Sequence, residues 1–132
     1  MKSKQRRFTV RSRLESIPHA IRGLADMLRT EHNAWVHAVA TVLVLILCSW
    51  LKISRNDFAL VIVAIVMVWA AEAFNTVLEI MADLVITGEQ PSQAIKRAKD
   101  IAAGAVLAAC LGAAAIGIIV LGPYLSQRLS QS

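Results

Sequence analysis

Between Ile101 and Gly122 the chain carries no charged residue, and between Phe58 and Ala71 it carries none either. Aromatic residues make up only 5% of the 132, while hydrophobic residues reach 57% and the mean hydropathy is +0.59. A soluble bundle of three buried helices needs a polar face on each helix, and these uncharged runs exclude it. Cysteine occurs twice, at Cys48 and Cys110, each alone in a different apolar block, so no disulfide is expected and both read as packing residues. His19, His32 and His37 share no ligand spacing, which argues against zinc. Neither G-x-x-x-x-G-K-[ST] nor G-x-G-x-x-G occurs, so no known phosphate loop is available. The first apolar run starts only after about 30 residues, with no small-residue cleavage site ahead of a soluble domain, so no secretory signal peptide is expected.

What is present is apolar sequence in three blocks. Ala34 to Leu51 is broken only by His37, Thr41 and Ser49; Phe58 to about Ile86 follows, then Ile101 to Gly122. A hydrocarbon core of ~30 Å needs about 20 helical residues, and each block supplies a span. Eight cations precede the first span, from Lys2 to Arg29, and Lys96, Arg97 and Lys99 lie in or near the second loop. A cytoplasmic N-terminus therefore puts eleven of the fourteen Lys and Arg inside, as the positive-inside bias requires. The net charge of +5 is thereby explained by anionic headgroups, and no nucleic-acid partner is expected.

Residues 1–12 read as a basic, disordered arm, and residues 13–125 as one integral-membrane domain with a short tail at 126–132. Ser16 as a cap, Pro18 in the first turn, and Ile17, Ile21, Leu24 and Leu28 at helical spacing predict a surface helix over about 16–30. Spans are expected at about 33–51, 58–86 and 97–122. Ser54-Arg55-Asn56-Asp57 reads as the outer turn, and Thr87 to Ser92 as the inner loop. Trp35 and Trp50 suit interfacial anchoring. Gly104-x-x-x-Ala108-x-x-x-Gly112 and Ala113-x-x-x-Gly117 are small-residue patterns for close helix packing.

Within the second block Glu72, Asn75, Glu79 and Asp83 fall along one stripe of one helix. Carboxylates on a membrane helix are costly unless paired, hydrated or bound to a cation, so the stripe marks a functional site. With the N-terminus inside, Glu72 lies roughly 21 Å from the outer end of the apolar helix, and Glu79 about 10 Å further in. Glu31 and Lys99-Asp100 gather at the same cytoplasmic surface. Glu31 and Glu79 suit Mg²⁺, which takes one or two carboxylates together with substrate phosphates. Lys99 would neutralise phosphate charge, Asn75 would orient a phosphate or ligand, and Glu72 suits a general base for a hydroxyl. Together these parts describe phosphoryl transfer from a metal nucleotide to a membrane alcohol. Two non-enzyme readings compete: an oligomeric ion channel with a Glu72 ring, and an assembly subunit whose stripe mediates helix contacts. Neither requires Glu31 and Lys99-Asp100 at that same surface.

The run Glu72-x-x-Asn75-Thr76-x-x-Glu79-x-x-x-Asp83 resembles the signature of the small prokaryotic diacylglycerol kinases and undecaprenol kinases. Ala98-Lys99-Asp100-Ile101-Ala102-Ala103-Gly104 is similar to that family's second motif, and Glu31-x-Asn33-x-x-x-His37 falls where the first span begins. The resemblance covers about residues 13 to 122. It implies an all-α membrane homotrimer, with one surface helix and three spans, in a bacterial inner membrane. It also implies transfer of a phosphoryl group from ATP, with Mg²⁺, to a lipid alcohol at the cytoplasmic face.

By the same resemblance Glu72 is the catalytic base, and Glu31 and Glu79 hold the metal. Asn75, Lys99 and Asp100 serve the nucleotide, and His19 falls where some members place a nucleotide-contacting tyrosine. Arg11 or Arg13 supplies an arginine for nucleotide or lipid; Asn33, His37 and Ala103 fall with Glu72 on the lipid side. The inner loop departs from the pattern, lacking the histidine that many relatives carry before the second motif. Glu89 and Gln90 are left as the candidates for adenine contact there. His37 resembles the undecaprenol kinase branch, where the diacylglycerol branch tends to have a carboxylate. The favoured substrate is therefore undecaprenol, with diacylglycerol as the alternative.

Overall fold

A computed structural model describes residues 17–86 and 92–131. Among these residues there are four helices: α1 (Ile17–Thr30), α2 (His32–Leu51), α3 (Arg55–Val85) and α4 (Gln93–Leu129). The last three are each long and apolar enough to cross a membrane. Their large apolar side chains mostly face outward; Leu43, Leu107, Ile118 and Ile119 are all exposed. A helix that is apolar all round is at home in lipid, where these side chains meet acyl chains.

The ends of the helices follow from local chemistry. Lys52 takes a left-handed conformation (φ 53°), and its N–H donates to the Ser49 carbonyl while that of Ile53 reaches Cys48. That is a Schellman ending, which satisfies two carbonyls the helix would leave unpaired. Arg55, Asn56 and Asp57, expected within the outer turn, instead open α3. Ser54 caps it by accepting from the Asp57 N–H, so the turn itself shrinks to the residues just before. Ser92 caps α4 in the same way, accepting from Ile95.

The α4 helix runs through Pro123 to Leu129, beyond the apolar block that ends at Gly122. Proline removes one backbone bond, a loss that neighbouring groups can offset in membrane helices. The carbonyl that loses its donor is that of Ile119; the Ser126 hydroxyl donates separately to the Pro123 carbonyl at 2.9 Å.

The α3–α4 pairing is the most extensive in the bundle, with α2 laid across both and α1 against α2 and α3. Cys48, Leu51, Val61, Val120 and Leu121 form a buried apolar cluster at the end of the bundle where α2 meets α3, with Ile53 and Tyr124 packed against it. Tyr124 donates to Asp57 Oδ2 at 2.6 Å and accepts from the Ser54 N–H at 3.2 Å, tying the end of α4 to the start of α3. At mid-bundle the Trp69 indole N–H donates to Thr41 Oγ1 at 3.0 Å, joining α2 to α3. The glycines that read as packing positions have no close neighbour within the chain. A Cβ added at Gly104, Gly112 or Gly117 would meet nothing within 4 Å. Cys48 and Cys110 are both free thiols.

Candidate functional site

The polar stripe of α3 faces inward in the helix's second half. Glu72 is 1% exposed, and Asn75 and Thr76 are also buried. The helical period accounts for Asn75 and Glu79 following Glu72 on that face. Asn33 and His37, one turn apart on α2, and Ala103 and Cys110 on α4 close a cavity of about 320 Å³ around them. Six of the residues singled out by sequence thus share one cavity: Asn33, His37, Glu72, Asn75, Glu79 and Ala103.

The hydrogen bonding inside is incomplete. Asn75 Nδ2 donates to Glu79 Oε1 at 2.9 Å, which leaves Asn75 Oδ1 turned elsewhere. Glu72 Oε2, Asn75 Oδ1 and Thr76 Oγ1 are buried without a hydrogen-bond partner. His37 Nε2 is 3.6 Å from Glu72 Oε2, too long for a hydrogen bond but close enough for attraction when the imidazole is charged. A buried, unpartnered polar atom is costly, and three within five residues mark a place built for groups from outside the chain. Carboxylate and amide oxygens with free lone pairs suit an alcohol O–H or a hard cation.

The remaining candidates lie around the cavity or outside the described residues. Glu31 stands at the α1–α2 junction, where its carboxylate accepts from Thr30 Oγ1 at 3.3 Å. It does not line the cavity. Among the described residues no three His, Cys, Asp or Glu converge as a ready cation cage. Magnesium needs none, since it completes its shell with phosphates and water. The oxygen donors that the cavity does offer, on Glu79 and Asn75, fit it.

Lys99 is held by Asp83 at 3.0 Å across α3 and α4, and Asp100 beside it is exposed. His19 lies on α1 with Nδ1 2.9 Å from Arg22 Nη2 and does not line the cavity. Arg11, Arg13, Glu89 and Gln90 lie outside the described residues, as do the basic arm and most of the inner loop.

Two participants were missed by sequence reasoning. Thr76 carries no role in the motif reading, yet its hydroxyl is buried next to Asn75 in sequence. Cys110 read as packing, yet it lines the cavity wall. Its spacing of seven from Ala103, two helical turns, was the available signal.

Comparison with known proteins follows the same outline. Residues 18–121 match the family model described as prokaryotic diacylglycerol kinase. The chain is 33% identical to the undecaprenol kinase of Bacillus subtilis over 125 residues, covering 95% of this chain and 100% of that protein. It is also 33% identical to the diacylglycerol kinase of Synechocystis over 114 residues, covering 86% of this chain and 65% of that longer protein.

Proposed function

The chain belongs to the prokaryotic diacylglycerol kinase family of membrane lipid kinases, and from that premise we propose a specific reaction for it. It transfers the γ-phosphoryl group of ATP to the hydroxyl of a membrane lipid alcohol at the cytoplasmic face, undecaprenol in preference to diacylglycerol. The observation that carries this reading is Glu72: a carboxylate 1% exposed, deep in a bundle, with one oxygen unpartnered.

The lipid hydroxyl donates to Glu72 Oε2. As its oxygen attacks the γ-phosphorus, the O–H bond breaks and Glu72 takes the proton. The bond to the bridging oxygen breaks in line, and ADP leaves. Magnesium, when bound, supplies charge neutralisation at the phosphates. Glu79 and Glu31 would hold it, Asn75 orients Glu79, and Lys99 would meet phosphate charge at the rim. The preference for undecaprenol rests on His37 beside Glu72 and on the full-length similarity to the Bacillus subtilis relative.

In the same reading α1 lies along the inner surface of a bacterial cytoplasmic membrane with the N-terminus inside, and the working unit is a homotrimer. The exposed Ile17, Ile21 and Leu24 of α1, at helical spacing, support its lying on the membrane. Family membership selects the enzyme over the channel and assembly-subunit readings.

The test is ATP-dependent phosphorylation by purified protein in micelles, with undecaprenol and diacylglycerol offered side by side. Preferred transfer to undecaprenol is expected. Preferred transfer to diacylglycerol overturns the substrate assignment, and transfer to neither by folded protein overturns the reaction.

A further inference from the structure

A second cavity, about 130 Å³, lies immediately outward of the first and inside the three-helix bundle. His37 is common to both. From there the walls climb in register on all three helices. On α2 they pass from His37 to Thr41, on α3 from Glu72 back to Val68 and Ala64, and on α4 from Cys110 to Ala113 and Gly117. The floor of this cavity is therefore the site at which the lipid hydroxyl is to be phosphorylated.

We propose that this cavity seats the hydroxyl-proximal segment of a single lipid chain, so that the kinase selects a one-chain polyprenyl alcohol over a two-chain glyceride. This rests on the lipid kinase reading above and names the substrate class that its site accepts.

The chemistry of the walls is that of a hydrocarbon seat. Apart from His37 at the floor, Thr41 is their only polar side chain, and its oxygen already accepts from Trp69. The size is selective. A dry cavity of about 150 Å³ in another protein takes one benzene, so the space here suits roughly five or six carbons, about one isoprene unit with its methyl branch. Two acyl chains and a glycerol backbone do not enter side by side. Small residues make the room: Ala64, Ala113 and Gly117 line it, and a Cβ built on Gly117 meets nothing within 4 Å. A void here forfeits contacts on all its walls, and a seated chain restores them.

The test fills the seat from α4. Gly117→Leu and, one helical turn below, Ala113→Leu are compared with the natural protein and with Gly117→Ala, whose single added carbon has space. Undecaprenol bound to each protein in micelles is measured by native mass spectrometry. Turnover of undecaprenol and of dioleoylglycerol is followed beside Mg-ATP binding, which reports an intact fold. In whichever leucine variant retains Mg-ATP binding, KM for undecaprenol should rise about tenfold or more, and bound undecaprenol should fall. The ratio of activities should shift away from the one-chain lipid. Unchanged undecaprenol binding and KM overturn the inference, as does an equal loss for both lipids. If the natural protein phosphorylates neither lipid, the reaction assignment fails; the seat still stands if undecaprenol binds and the leucine variant loses it.

Discussion

His37 Nε2 on α2 stands 3.6 Å from Glu72 Oε2 on α3, at a depth where Glu72 is almost completely enclosed. The pair places a group that can carry positive charge beside the one carboxylate that the bundle seals away. Glu72→Gln keeps the volume and removes the proton acceptor. Turnover should fall by about 10²–10⁴, the usual contribution of a general base, while lipid and Mg-ATP binding persist. Single-turnover phosphorylation beside nucleotide titration checks this; near-normal turnover would remove Glu72 from the chemistry.

His37 has no hydrogen bond to Glu72 and works through charge and position. His37→Ala should lower kcat about tenfold and leave KM for Mg-ATP unchanged, because the nucleotide candidates Glu79 and Lys99 lie nearer the α3–α4 loop. The same variant should narrow the preference between undecaprenol and diacylglycerol. Steady-state kinetics with both lipids separates the two effects, and an unchanged lipid ratio would discount His37 as a discriminator.

Asn75 donates to Glu79 at 2.9 Å and so fixes a carboxylate assigned to magnesium. Residues that orient a metal ligand commonly account for 10–100-fold in affinity. Asn75→Ala should weaken Mg-ATP binding about tenfold, and Glu79→Ala at least as much, both shifting the magnesium dependence of turnover to higher concentration. Calorimetric titration of Mg-ATP into each variant gives the result directly.

Much of this arrangement was legible in the sequence, because membrane helices leave few choices. The apolar blocks correspond to three helices long and apolar enough to cross a membrane, and the spacing of Glu72, Asn75 and Glu79 puts them on one stripe. Period alone could not say where that stripe leaves the bundle. Asp83 continues it, yet at the rim it turns to Lys99 rather than to the cavity. Nor could it pair Asp57 with Tyr124, 67 residues apart, since that contact depends on how far α4 extends past Pro123. The expected third span stops at about residue 122 with the apolar block, whereas α4 continues through Pro123 to Leu129. The small residues of α4 read as a packing seam, but one of them, Gly117, lines open space within the chain.

At the end of the bundle where α4 meets the start of α3, Tyr124→Phe removes the hydroxyl that bridges Asp57 and the Ser54 N–H. Asp57 keeps its bond from the Ser54 hydroxyl at 2.8 Å, so the loss should be about 2 kcal/mol, that of two hydrogen bonds. Unfolding in mixed micelles should show this decrease, while both KM values stay unchanged because the candidate site lies toward the other end of the bundle.

Lys99 and Asp83 face each other at 3.0 Å across α3 and α4, with side chains 37% and 67% exposed. A pair this open to solvent is worth ~0–1 kcal/mol, so it is weak as a structural brace. On the proposal that Lys99 meets the nucleotide, phosphate would have to compete with Asp83 for that cation. Asp83→Asn should therefore leave stability within about 0.5 kcal/mol and lower KM for ATP, by freeing Lys99. Lys99→Gln should do the opposite to affinity, raising KM for ATP about tenfold with lipid KM unchanged. The double variant should behave as Lys99→Gln alone, because Asp83 acts on the nucleotide only through the lysine. Additive effects in that cycle would show that Asp83 meets the nucleotide or its metal itself.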